Sequence, residues 1–352
     1  MDIAVIGAGG SVGREIVHLI LAEQLLDCDR KMVLVGNPDG PSASSVYGYA
    51  VDLIDAYAEK SPSIEVTLNA EEIRGDLIIM AGGATIPIGH GGGRISRDFL
   101  AEKNAPIFER YASALARTGH GSEIVICVSN PNELAVTIFA KHLGRRRVIG
   151  MGAFLDSMRF RKEIALDLGI RRQRIHGFIA GEHGLNLVPL WSGIHIYGLT
   201  ETVLKENLAR IRRGHVTERF PKDVSDAVAV LTPLIERGRI REAYELVDRY
   251  PPDIRVALKP FVTHFSGAKT VTGTAKAAVE LIRMITLGND ALVSGQIVLD
   301  GEFHGIRGTL GVPFVVGNQG VDRVIELELS PEEKDLLVRC AESVRIKLER
   351  FV

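Results

Sequence analysis

The chain has 352 residues, enough for two domains of about one to two hundred residues each. Its 42 Lys and Arg against 44 Asp and Glu leave no net field to draw nucleic acid or an anionic membrane, which favours a small-molecule partner. Cys28, Cys127 and Cys340 lack the paired spacing of a zinc site or a disulfide framework, so no metal is expected; with no signal peptide before the apolar run at Ile3 and no run of roughly 18 apolar residues, a cytoplasmic protein is expected.

In chain order, residues 3–6 read as a short buried strand, residues 7–13 as a glycine turn and residues 14–26 as an amphipathic helix. Apolar runs at 32–35, 77–80 and 124–128 predict a second, third and fourth strand, with helix-compatible sequence such as 97–116 between some of them. Alternating strands and helices predict an α/β fold with a Rossmann-type, doubly wound parallel sheet over residues 1–147. The texture then changes to longer helices at 157–168, 275–285 and 331–351 and a strand-rich region at 291–329, which predicts an α+β substrate and catalytic domain over 148–352. Within it, residues 197–260 read as an extended helical segment broken at Pro221, Pro233, Pro251 and Pro252.

Gly7, Gly9, Gly10, Ser11, Val12 and Gly13 lie between a strand and a helix, where small residues admit a pyrophosphate and a helix N-terminus stabilises its charge. The second strand runs into Gly36 and Asn37, where a carboxylate for a ribose 2′-hydroxyl is usual, so NAD and NADP both remain open. Asn37, Ser42, Ser44 and Ser45 can donate to a 2′-phosphate, no Arg or Lys follows locally, and Asp39 either serves a ribose or belongs to a turn.

A second constellation is Asp156 and Arg159 in Gly-Ala-Phe-Leu-Asp-Ser-Met-Arg and His183 in Gly-Glu-His-Gly. Both strings resemble the active-site signatures of the lactate/malate dehydrogenase family, and Val128-Ser129-Asn130-Pro131-Asn132 resembles that family's loop after the fourth strand. Ser96 to Leu100 with Asn104, Leu299 to Glu302 and Gly311-Val312-Pro313 extend the likeness over nearly the whole chain. The resemblance implies an oxidoreductase moving a hydride between NAD or NADP and a small 2-hydroxy or 2-oxo acid, malate-like or related, in a homodimer or homotetramer.

It also implies roles. His183 would exchange the proton, imidazole titrating nearest neutrality, and Asp156 would orient it. Arg159 would hold the substrate carboxylate with a two-pronged hydrogen bond, Arg97 would reach the substrate carbonyl from a mobile loop, and Asn130 would hold the reacting oxygen or the nicotinamide. Thr274, or its neighbour Thr272, would face the substrate, and Gly36, Asn37, Gly82, Val128 and Asn130 would line the cofactor.

The likeness departs at the residue that selects the substrate. Gly91 stands six positions before Arg97, the loop is lengthened over 83–96, and Arg94 is the candidate replacement for an arginine facing a second carboxylate. Two other readings compete: an NAD-dependent glycosidase, which needs a metal-binding Cys and His, for which Cys127 stands nearby, and a dinucleotide-binding scaffold without turnover.

Overall fold

The computed structural model describes residues 1–40, 42–85 and 97–351, with the side chain of Arg97 excepted. Six strands form a parallel sheet: β1 (Ile3–Ile6), β2 (Lys31–Val35), β3 (Ser63–Thr67), β4 (Leu77–Met80), β5 (Ile124–Cys127) and β6 (Val148–Gly150), in the spatial order β3-β2-β1-β4-β5-β6. Register follows from Ile3 opposite both Met32 and Leu77. This is the doubly wound order, with its switch point between β1 and β4.

Alternation along these buried strands sorts side chains into two layers. Ile3, Val5, Leu77 and Ile79 belong to the core that includes α1 (Ser11–Ala22) and α2 (Ser45–Ala56); Ala4, Ile6, Ile78 and Met80 belong to the one under α3 (Arg97–Thr118) and α4 (Asn132–Leu143). β3 escapes the sequence reading because it is an edge strand of mixed pattern, Ser-Ile-Glu-Val-Thr, with one buried residue. It pushes the strand at 124–127 from fourth to fifth in chain order.

The second half starts with α5 (Gly152–Leu168) and the pair β7 (Ile175–Gly181) and β8 (Leu187–Ile196). Then come α6 (Glu201–Arg212), α7 (Phe220–Glu236), α8 (Ile240–Val247), α9 (Pro252–Phe265) and α10 (Val271–Thr286). β9 (Ala291–Phe303), β10 (Ile306–Gly317), β11 (Gly320–Val324) and α11 (Pro331–Leu348) complete the chain. A single antiparallel pair, Gly150 with Gln296, continues the parallel sheet into β9 and so into the antiparallel strands.

The segment 197–260 is helical as expected, but Pro233 breaks nothing. It lies inside α7 three positions from its end, where only the bond to the carbonyl of Ala229 is lost, while Pro221 and Pro252 open helices in their first turn. This segment braces α5. Arg255, 3% exposed, donates to Glu163 Oε2 at 2.8 Å and Asp167 Oδ1 at 2.8 Å, and Lys259 Nζ reaches Glu163 Oε2 at 2.9 Å. The buried Trp191 indole donates to Asp253 Oδ2 at 2.9 Å, and Asp253, pushed up by burial, is tied to α9's first turn. The basic residues of α6 are engaged locally: Lys205 with Glu201, Arg210 with Asn207, and Arg212 with Thr217 and the Trp191 ring.

Candidate active site

The glycine turn is tighter than its sequence span, because the helix claims its second half. The turn covers Gly7 to Gly10, and Ser11, Val12 and Gly13 form the first turn of α1, which begins at Ser11 rather than Arg14. Helical geometry leaves their N–H groups without intrahelical partners, and Gly10 supplies no side-chain cap. Two glycines are required by contact: a Cβ on Gly7 (φ +85°) would stand 2.5 Å from Gly82 Cα, and one on Gly13 would stand 2.2 Å from the Gly7 carbonyl oxygen. The result is a backbone-lined cradle at the carboxyl ends of β1 and β4, fitted to a dinucleotide's pyrophosphate, with Gly82 in its wall.

Gly36 is buried just past β2, its N–H donating to Thr67 O at 3.0 Å, while Asn37 is exposed. On the other side of the switch point Val128 is buried and Ser129 Oγ donates to Gly82 O at 2.6 Å, joining the loops after β4 and β5. Asn104, only 1% exposed, is the hub of this junction. Its Oδ1 accepts from Ala84 N at 2.6 Å and its Nδ2 donates to Asn130 O at 2.6 Å, so α3 fixes the backbone of Asn130 and the start of the lengthened loop. The Asn130 side chain is exposed beside it. Gly91 and Arg94 lie outside the described residues; Arg97 opens α3.

The proton-transfer candidates meet. His183 Nδ1 stands 2.7 Å from Asp156 Oδ2, and Arg159 Nη1 donates to Asp156 Oδ1 at 3.1 Å from one helical turn further along α5. Asp156 is almost wholly buried, whereas His183 and Arg159 keep 16% and 20% of their side chains exposed. Burial pushes the Asp156 carboxyl up, but the charge and hydrogen bond of His183, with those of Arg159, outweigh it and hold the group below the usual carboxylate range. Arg159 thus anchors on Asp156 by one nitrogen, leaving the rest of its donor fork to the partly exposed side. Arg161 is partly buried, and desolvation together with Arg172 lowers its guanidinium to about 10. Thr274 lies in the first turn of α10, its hydroxyl 3.4 Å from that of Thr270.

Residues that the sequence did not single out hold this pair. Glu133, buried on α4, accepts the His183 N–H at 2.7 Å, and Lys347 of α11 bonds the neighbouring Glu182 at 2.7 Å. The N-terminus of α5 has no local cap; Gln296 Oε1 accepts from Ala153 N at 2.9 Å, and Asn132 Oδ1 from Gly152 N at 3.3 Å. Gly152 is required here, since a Cβ would stand 2.6 Å from His183 Cβ. Glu133 and Asn132 follow the Asn130-Pro131 pair, a local signal that a polar run at a helix start carries a task; Gln296 gave no such signal. Among the described residues no group of three or more His, Cys, Asp or Glu is placed to hold a metal ion, and no helix is long and apolar enough to cross a membrane.

Comparison with known proteins gives the family and the fold. Residues 1–150 match the family model described as lactate/malate dehydrogenase, NAD binding domain, and residues 260–352 match lactate/malate dehydrogenase, alpha/beta C-terminal domain. L-lactate dehydrogenase 2 of Enterococcus faecalis is 28% identical, over 95% of this chain and 92% of its own length. L-2-hydroxycarboxylate dehydrogenase (NAD(P)(+)) of Methanocaldococcus jannaschii is 26% identical over 98% and 97%. The crystal structure of malate dehydrogenase from Cryptosporidium parvum, 22% identical, shares the fold with a TM-score of 0.75, covering 99% of this chain and 98% of its own. The chain belongs to the lactate/malate dehydrogenase family and is a nicotinamide-dependent 2-hydroxyacid oxidoreductase.

Proposed function

We propose that His183 carries the proton of the reaction, Asp156 orients and charges it, and Arg159 holds the carboxylate of a small 2-oxo acid, malate-like or related. The observation that carries this reading is the 2.7 Å contact of His183 Nδ1 with a buried, ionised Asp156 that also anchors Arg159. With Nδ1 committed to Asp156, Nε2 is the ring atom that gives its proton to the substrate oxygen during reduction and takes it back during oxidation. The buried carboxylate stabilises the imidazolium without itself taking the proton, because its own basicity is lowered. The bound nicotinamide supplies or accepts the hydride. Gly7, Gly9, Gly10, Ser11, Val12, Gly13, Gly36, Asn37, Gly82, Val128 and Asn130 line its dinucleotide, and Asn130, Arg97, Arg94 and Thr274 complete the substrate side.

Residues 1–147 bind the cofactor and 148–352 supply the proton and the carboxylate anchor, with β6 joining the first unit's sheet. We further infer a cytoplasmic homodimer or homotetramer. Three free cysteines, one exposed, suit a reducing compartment. Tyr47, Val51 and Ile54, 50%, 58% and 44% exposed, form an apolar stripe at helical spacing on α2 that suits a subunit contact.

Loss of nicotinamide absorbance, with NADH and NADPH each offered oxaloacetate, pyruvate and longer 2-oxo acids, tests the activity. Rapid oxidation with oxaloacetate identifies malate-type chemistry and an inward Arg94; turnover of another 2-oxo acid makes the altered loop the specificity device. His183→Asn should abolish turnover while cofactor still binds, and an active His183→Asn enzyme would remove His183 from the reaction. The glycosidase alternative finds no ligand in Cys127, fully buried within β5.

A further inference from the structure

The ribose edge of the cofactor site lies where β2 ends, and there the chain departs from the usual pairing of a carboxylate with a ribose diol. The turn is Gly36-Asn37-Pro38-Asp39-Gly40, with its one carboxylate three residues beyond the usual place and exposed. The segment after it folds back onto the glycine turn: a Cβ on Gly9 would stand 2.5 Å from Ser42 Cβ. Ser42 and Ser45 are therefore neighbours of the cradle.

Two guanidinium groups from distant parts of the chain flank this same segment. Arg14, on α1, donates from Nη2 to Ser45 Oγ at 3.4 Å and from Nε to Gly9 O at 3.3 Å, and its guanidinium lies 4.8 Å from the Tyr49 ring centre. Tyr49 is fixed in turn by its hydroxyl donating to Arg14 O at 2.8 Å. Arg110, on α3, donates from Nη2 to Asn37 Oδ1 at 3.4 Å and lies against Tyr111. Neither guanidinium pairs with a carboxylate among the described residues. Both contacts to Ser45 and Asn37 are long, and a guanidinium fork is made for phosphate oxygens. The sequence hides the arrangement, since no basic residue stands between Gly36 and Ser45.

We infer that Arg14 and Arg110, with Asn37, Ser42 and Ser45, form a subsite for the 2′-phosphate of the adenosine ribose, so that this enzyme prefers NADP(H) to NAD(H). The inference rests on the dinucleotide-binding reading above and deepens it. The two arginines would supply charge-assisted bonds to the phosphate, the hydroxyls and the amide would supply neutral ones, and a cofactor without the phosphate would leave the charges unanswered.

The test is equilibrium binding without turnover. Calorimetric titration of the full-length protein with 2′,5′-ADP and with 5′-AMP isolates the phosphate from the nicotinamide and the substrate. The wild type should bind 2′,5′-ADP at least about tenfold more tightly, the worth of one good charge-assisted bond. Arg14→Gln and Arg110→Gln should each lower the ratio of the two affinities, and the double variant should bring it close to one; the ratio cancels any general weakening. A wild-type ratio at or below one overturns the inference, as does a ratio above one that survives in the double variant. If neither mononucleotide binds, and neither NADH nor NADPH does, the cofactor cradle itself is misread and this inference falls with it.

Discussion

The two halves of the proposed active site are built from different materials. The proposed cofactor cradle is made of backbone: four glycines, the first turn of α1 and a glycine of the loop after β4, all positioned by strands adjacent in one parallel sheet. The proposed proton-transfer pair is made of side chains whose supports come from far along the chain, with Glu133 fifty residues before His183 and Gln296 143 residues after Ala153. A backbone site tolerates no added atom where chains touch but any side chain elsewhere. The side-chain site tolerates shape changes but fails when a charge loses its partner.

That contrast predicts its largest effect at Asp156. Asp156→Asn keeps the volume and removes the charge that stabilises a protonated His183, so turnover should fall by about 10³ to 10⁴, as for other imidazoles deprived of a carboxylate partner, with cofactor affinity nearly intact. Stopped-flow turnover and direct cofactor titration would show it; a drop in cofactor binding equal to the drop in turnover would mean that the two halves are not separable. The same carboxyl carries a pH signature. Its folded-state value is depressed, so its contribution to stability is complete above the unfolded-state value and disappears as pH falls through the folded one. Denaturation midpoints of wild type and variant should therefore differ most near neutrality and converge in acid.

The next effect is on the brace. Arg255 is 3% exposed and joins Glu163 and Asp167, both on α5, to α9; Arg255→Met removes the buried cation the two acids share, leaving Glu163 to Lys259 and Asp167 to Arg213, and should cost about 3 to 5 kcal/mol. Urea denaturation measures it, and a loss under 1 kcal/mol would show that segment 197–260 lies on α5 without holding it. Changing Glu163 to Gln in the same chain should restore part of the loss, since it removes one of the two acids that shared Arg255.

On the backbone side, Gly13→Ala places a methyl group 2.2 Å from the Gly7 carbonyl oxygen. Overpacking of this kind costs on the order of 1 to 3 kcal/mol, and here it should appear as a tenfold to hundredfold weaker cofactor affinity, because the turn rather than the core has to move. Titration with NADH and NADPH would read it. Unaltered affinity would show that the cradle is looser than its contacts imply.

How legible each half was in the sequence follows the same division. The glycine turn and the strand runs stood out because each is a local pattern, a period or a short spacing that physical geometry fixes on its own, and the His183, Asp156 and Arg159 strings stood out because they resemble the family's signatures. β3 escaped because an edge strand needs only one buried residue, and Pro233 was misread because a proline near a helix end costs just one hydrogen bond. Arg255, Gln296, Arg14 and Arg110 carried no local signal at all. Each owes its place to a contact between elements that the sheet order, not the neighbouring sequence, brings together.

Gln296 is the sharpest case and gives the smallest effect. It is fully buried, its Oε1 caps α5, and its Nε2 has no hydrogen-bond partner among the described residues. Glycines make room for it: a Cβ on Gly150 would stand 2.8 Å from Gln296 Cβ, and one on Gly311 would stand 3.0 Å from Nε2. Gln296→Met keeps the length, forfeits the cap and also removes the unsatisfied amide nitrogen, two changes of opposite sign, so global stability should shift by less than about 1 kcal/mol. Catalysis should respond more than stability. With Ala153 N uncapped, the first turn of α5 loosens beside His183 and the contact with Asp156 lengthens, so the proposed proton-transfer pair loses its alignment. The maximal rate of 2-oxo acid reduction should then fall with KM little changed, since the lost interaction belongs to the chemical step rather than to binding. A maximal rate identical in the two enzymes would make Gln296 a packing residue and confine the proposed proton-transfer assembly to α4, α5 and the turn after β7.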